Sequence, residues 1–105
     1  MHFQKRAKID AALEGFEEIL AFLVSEYGEK HRRVATALHN LGVVHLRAGN
    51  FDDAVDSIEE AIKIRKEMFG ESDPRIAVSC FYMILDYLLA AVHCLLSMDY
   101  LYYLC

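Results

Sequence analysis

The stretch HRRVATALHNLG at residues 31–42 returns 42 residues later as DPRIAVSCFYMI at residues 73–84. The same offset lays IDAALEGFEEI (9–19) over FDDAVDSIEEA (51–61), and Tyr27-Gly28-Glu29 over Phe69-Gly70-Glu71. The self-match covers most of the chain. A supersecondary unit repeated at such a period cannot bury its apolar face alone and must stack on its neighbours. The repeat therefore predicts a solenoid fragment whose work is to hold other molecules, in place of an enzyme built round a pocket.

Working outward from residue 34, Val34, Leu38, Leu41 and His45 fall at i, i+4, i+7 and i+11, one face of a helix. Ala48-Gly49-Asn50 ends it, because Gly49 and Asn50 tolerate left-handed backbone angles. Phe51 then opens a second helix with Asp52, Asp53 and Asp56 early and Lys63, Arg65 and Lys66 late, which complements the helix dipole at both ends. Ala54, Ile58, Ala61 and Ile62 form its buried stripe. Gly70 reads as a C-cap, and Asp73-Pro74 as an N-cap followed by proline at the first helical position. Strand signals are absent, so the fold class is all-α.

Leu38-x-x-Leu41-Gly42-x-x-His45, followed by Ala54-x-x-x-Ile58 and Ala61, resembles the tetratricopeptide repeat, with His45 where that family usually has tyrosine. The period exceeds the usual ~34 residues of the motif. Together with VATALHNLG, AGNFDDA and IKIRKEMFG, it looks like the kinesin light chain type of tetratricopeptide repeat. That resemblance implies antiparallel helix hairpins stacked into a solenoid. The expected organisation is a partial first repeat at 1–30, mainly its second helix, a complete repeat at 31–72, and a divergent, apolar third helix or hairpin at 73–105. In the third unit Gly42 is answered by Ile84, and Ala48-Gly49-Asn50 by Ala90-Ala91-Val92. With the breaker gone, Pro74 to about Tyr103 runs as one helix of ~45 Å. Solenoids usually end in a helix with a polar outer face. This tail lacks one, so it is covered by something, or the chain is a fragment or the divergent end of a longer array.

The resemblance also implies a function: a non-catalytic scaffold or adaptor module that takes a peptide or partner helix in a groove lined by the first helix of each repeat. In the complete repeat the lining residues are Thr36, His39, Asn40, Val43 and Arg47. An asparagine amide both donates and accepts, so Asn40 suits the backbone of an extended peptide whatever its sequence, and Arg47 suits a carboxylate at the edge. Tyr82 stands at the Asn40 position of the third unit.

Composition sets further bounds. The chain has 105 residues and a net charge of −5, from 16 acidic and 11 basic side chains, so no nucleic-acid partner is expected. Hydrophobic residues make up 55% of it, and residues 80–105 carry only Asp86 and Asp99 as charged side chains. Residues 80–98 approach the ~20-residue apolar length that crosses a bilayer, with Tyr100, Tyr102 and Tyr103 at interfacial positions. Against a span stand Asp86, His93 and the lack of a flanking basic cluster. A membrane-associated adaptor anchored by 80–98 is the first alternative and a regulatory segment of a larger enzyme the second; short of a span, the tail reads as a buried or self-associating hydrophobic helix, which allows a homodimer. Asp86 and His93 lie seven apart, so two paired helices would bury them together; the expectation is that both face solvent. Three cysteines (Cys80, Cys94, Cys105) without short paired spacing suit a reducing compartment, and the N-terminus MHFQKRAKID lacks the apolar run of a secretory signal, so cytoplasm is the expected location.

The spacings of His31, His39 and His45 and of Cys80 and Cys94 do not suit a metal site, and no metal or cofactor is expected. His45 reads as core and His31 as loop. Glu17-Glu18 and Glu59-Glu60 recur at the repeat offset, which marks a solvated helix face, and Glu59 and Lys63 form an i,i+4 pair. No phosphate-binding glycine loop or nucleophile motif appears, so no enzyme activity is expected.

Overall fold

The computed structural model describes the backbone of residues 2–104 and the side chains of residues 6–96. Cys105 and the side chains of Met98, Asp99, Tyr100, Tyr102 and Tyr103 lie outside the described residues. Four helices follow one another: α1 (His2–Tyr27), α2 (Arg32–Ala48), α3 (Phe51–Phe69) and α4 (Pro74–Leu104). Each packs on its predecessor, and α2 and α4 also touch. The array is long and thin, 53 × 31 × 16 Å.

The turns explain the helix lengths. Gly28, Gly49 and Gly70, spaced 21 residues apart, all have positive φ (84°, 81° and 85°). At Gly49 the left-handed backbone (φ 81°, ψ 11°) turns its N–H back onto the carbonyls of His45 and Leu46, closing α2. The left-handed residue there is Gly49 alone; Asn50 has φ −86°, and its side-chain amide pairs with His45 Nδ1 at 3.2 Å. One repeat further on, the Gly49 position is Ala91, for which the left-handed conformation is costly. Nothing therefore stops α4, which continues as one helix of 31 residues.

Helix starts follow local chemistry. Asp73 Oδ1 accepts from the backbone N–H of Arg75 at 2.8 Å, the N-cap that Asp73-Pro74 announced. His31 lies in the loop before α2, as expected, and also caps that helix: its Nδ1 accepts from the Arg33 N–H at 3.1 Å. Its ring also stacks on Tyr27, with centroids 4.5 Å apart.

The core has two parts. Val34, Ala35, Leu38, Ala61 and Ile64 pack with Leu20, Leu23 and Val24 where α1, α2 and α3 meet. Ile58, Ile62 and Ile76 pack with Tyr82 and Met83 between α3 and α4. The stripe expected on α3, Ala54, Ile58, Ala61 and Ile62, is buried throughout. Helices α2 and α3 pack tightly at Gly42, where an added Cβ would lie 2.5 Å from Ile58 Cγ1 and 3.2 Å from the Ala54 carbonyl oxygen.

Several expectations change. Arg65, read as one of the late cations that complement the α3 dipole, is 6% exposed. Asp86, expected in solvent, is 1% exposed and its carboxylate oxygens have no hydrogen-bond partner among the described residues. The turn of α4 that carries it lies against α3, so the side chain cannot reach water. His93 is exposed, its ring 6.0 Å from that of Phe51. His45 is half-buried. Glu59 and Lys63 are both exposed, and neither belongs to an ion pair among the described residues, which are Arg6–Asp10, Lys30–Glu67 and Arg75–Asp73.

Candidate functional site

The side chains assigned to the groove all stand on α2. Asn40 and Arg47 are exposed, and Val43 is half-buried. Thr36 is exposed, but its hydroxyl donates to the Arg32 carbonyl one turn back at 3.1 Å, which satisfies it locally. His39 is half-buried and engaged with α4: its Nδ1 lies 3.1 Å from Ser79 Oγ, and its ring meets Tyr82 edge-on at 5.1 Å. His39 and Tyr82 thus form a wall where α2 and α4 meet, with Asn40 next to it and Arg47 two turns along.

Behind that wall sits a polar chain. Arg65 Nη1 donates to Ser79 Oγ at 2.7 Å and to the Arg75 carbonyl at 3.4 Å. A guanidinium only donates, so the Ser79 hydroxyl accepts from it, and its second lone pair and its own proton let it pair with His39 Nδ1 in either tautomer. Burial, and then the Arg65 charge, hold the His39 pKa below its ordinary value, so the ring is neutral at pH 7. Burial also lowers the Arg65 pKa, helped by Arg75 and opposed by Asp73.

Neither Arg65 nor Ser79 was assigned to the site from sequence, although the repeat contains the signal. At the 42-residue offset Arg65 answers Leu23 and Ser79 answers Ala37. Two apolar residues in one helix pair are thus answered by two polar ones in the next, and the two polar ones touch.

Elsewhere an open cleft of about 400 Å³ separates the start of α3 from α4, with Asp52, Asp53, His93 and Cys94 on its walls. No group of three metal-ligating side chains occurs among the described residues. Asp86, one turn before Ala90 of this cleft, has its pKa raised, first by burial and then by Asp52.

Residues 1–67 match the family model described as Tetratricopeptide repeat. The chain is also similar to the Arabidopsis thaliana protein named KINESIN LIGHT CHAIN-RELATED 3, with 28% identity over 80 residues. That match covers 75% of this chain, which spans only 12% of the length of the relative.

Proposed function

The chain belongs to the tetratricopeptide repeat family, whose repeats generally mediate protein–protein interaction, and from that premise we propose that it is a non-catalytic scaffold or adaptor module gripping an extended peptide along α2. The observation that carries this reading is the exposure of Asn40 beside the His39–Tyr82 wall. Its amide has a donor and an acceptor to offer a peptide backbone, and His39 Nε2, the ring nitrogen that Ser79 does not engage, adds a further polar contact. Arg47, exposed and without an ion pair among the described residues, suits an acidic residue at the far end of the groove. The module works in the cytoplasm, where Cys80 and Cys94, both free and exposed, stay reduced.

The test is selection of binding peptides from a random displayed library on the parent chain, then titration of one selected peptide against the parent and Asn40→Ala. Loss of two backbone hydrogen bonds predicts about tenfold weaker binding. Equal affinity in the two proteins removes Asn40 from the site.

A second reading, membrane association, is favoured by Pro74–Leu96, long and apolar enough to cross a bilayer at a mean hydropathy of 1.7. It requires α4 to leave α3 and carry Asp86 into lipid. Flotation of the chain with liposomes would establish it.

A further inference from the structure

Helix α4 is apolar on both sides. The side it turns inward carries Ile76, Tyr82 and Met83 together with the buried polar residues Ser79 and Asp86, while Phe81, Ile84, Leu88, Leu95 and Leu96 are each about 60% exposed. Phe81, Leu88 and Leu95 recur every seven residues, with Ile84 and Val92 between them, so they form a straight seam on the side away from α3. A lone surface does not carry such a seam without something to cover it.

A following helix of the same repeat is a poor occupant. In the complete repeat the second helix seats on Gly42, where even one added carbon meets Ile58 at 2.5 Å. The corresponding place on α4 is Ile84. The turn that would bring such a helix back is also gone, since α4 continues through Ala91. A bilayer fits poorly too, because the Arg65–Ser79 hydrogen bond and the buried Asp86 tie one side of α4 to α3.

We propose that the seam is a dimer interface, occupied by α4 of a second copy of this chain. A long helix with a heptad seam is matched best by another of the same length and spacing. Antiparallel pairing about Leu88 sets Phe81 against Leu95 of the second copy, and the same in reverse, so each large side chain meets another. The area suffices. Seam residues at about 100 Å² each, plus half of the flanking Val78, Tyr87, Leu89 and Leu96, give ~700 Å² per copy and ~1,400 Å² per pair, within the ~1,200–2,000 Å² of stable, specific interfaces. This surface is separate from the α2 groove, so the two readings fail independently.

The experiment is size-exclusion chromatography with light scattering on the full chain, without detergent, for the parent, Leu88→Glu and Asn40→Ala. The expected masses are about twice the 12.0 kDa chain for the parent and Asn40→Ala, and one chain for Leu88→Glu. Leu88 is 59% exposed, so the glutamate costs the fold little, and unchanged helical circular dichroism checks this. In a Cys80→Ser, Cys94→Ser, Cys105→Ser background, Leu88→Cys should form a disulfide-linked dimer on mild oxidation. A monomeric parent at ~100 μM, a Leu88→Glu protein that stays dimeric, or a parent recovered only in detergent would each overturn the proposal.

Discussion

Replacing Gly42 by alanine isolates the contact that sets the spacing of the complete repeat. Two effects oppose each other. Alanine gains about 1 kcal/mol over glycine in a helix interior. The new methyl, however, would sit 2.5 Å from Ile58 Cγ1, 3.1 Å from its Cδ1 and 3.2 Å from the Ala54 carbonyl oxygen. Ile58 is fully buried and cannot swing aside, so the cost falls toward the upper end of the ~1–3 kcal/mol of overpacking. The net is a loss of about 2 kcal/mol, or a Tm lower by ~8–16 °C for a domain of this size. Gly15→Ala is the control. Gly15 lies inside α1 with nothing within 4 Å of an added Cβ, so it takes the helical gain without the clash and raises stability by about 1 kcal/mol. Thermal unfolding followed by circular dichroism reads both. In an Ile58→Ala background, where the clashing Cγ1 is absent, the sign at residue 42 should reverse and alanine should stabilise. A Gly42→Ala protein that melts at or above the parent, as Gly15→Ala does, would refute the argument that helix approach is limited at this point.

Other outcomes follow from the buried polar residues and the core. Asp86→Val, which restores the residue at the matching position, Val44, should stabilise the chain by about 1–3 kcal/mol at pH 7 by removing an unpartnered buried carboxylate. Because the folded pKa of Asp86 is raised, the parent is relatively most stable below the ordinary carboxyl range and loses stability as pH rises through the folded value. The Asp86→Val advantage, measured by urea unfolding across pH, should therefore shrink on acidification; a constant advantage contradicts the assignment. Arg65→Leu alone should cost ~1–3 kcal/mol by leaving the Ser79 hydroxyl and the Arg75 carbonyl without their donor, whereas Arg65→Leu with Ser79→Ala, the residue types at the matching positions Leu23 and Ala37, should recover most of it. Ile58→Ala should cost ~2–5 kcal/mol, and a value below about 1 would mean that Ile58 does not anchor the core cluster between α3 and α4.

Much of this fold is written in the repeat. The 42-residue offset, Gly49, Gly70 and Asp73-Pro74 place the helix ends, and the apolar spacing of α3 identifies its buried stripe, because capping and periodicity are local properties. The long α4 is legible for the same reason, since Ala91 stands where a glycine turn was needed. Partnership across helices is not local. Arg65 looked like one more cation complementing a helix dipole until its register against Ser79 was known, and Asp86 looked solvent-facing because a carboxylate usually is. His31 as an N-cap escaped because histidine is not a usual capping residue. The exposure of Asn40 and Arg47 requires only the helical wheel of α2. The engagement of His39 requires a neighbour 40 residues away.

The most direct test of the account is a backbone-amide NMR titration of the parent chain with a library-selected peptide. Binding along α2 predicts shift changes concentrated at Thr36, His39, Asn40, Val43 and Arg47 and at Tyr82 across the wall, weakened in Asn40→Ala. Changes confined to the Phe81–Leu88–Leu95 seam of α4, with α2 silent, would contradict it.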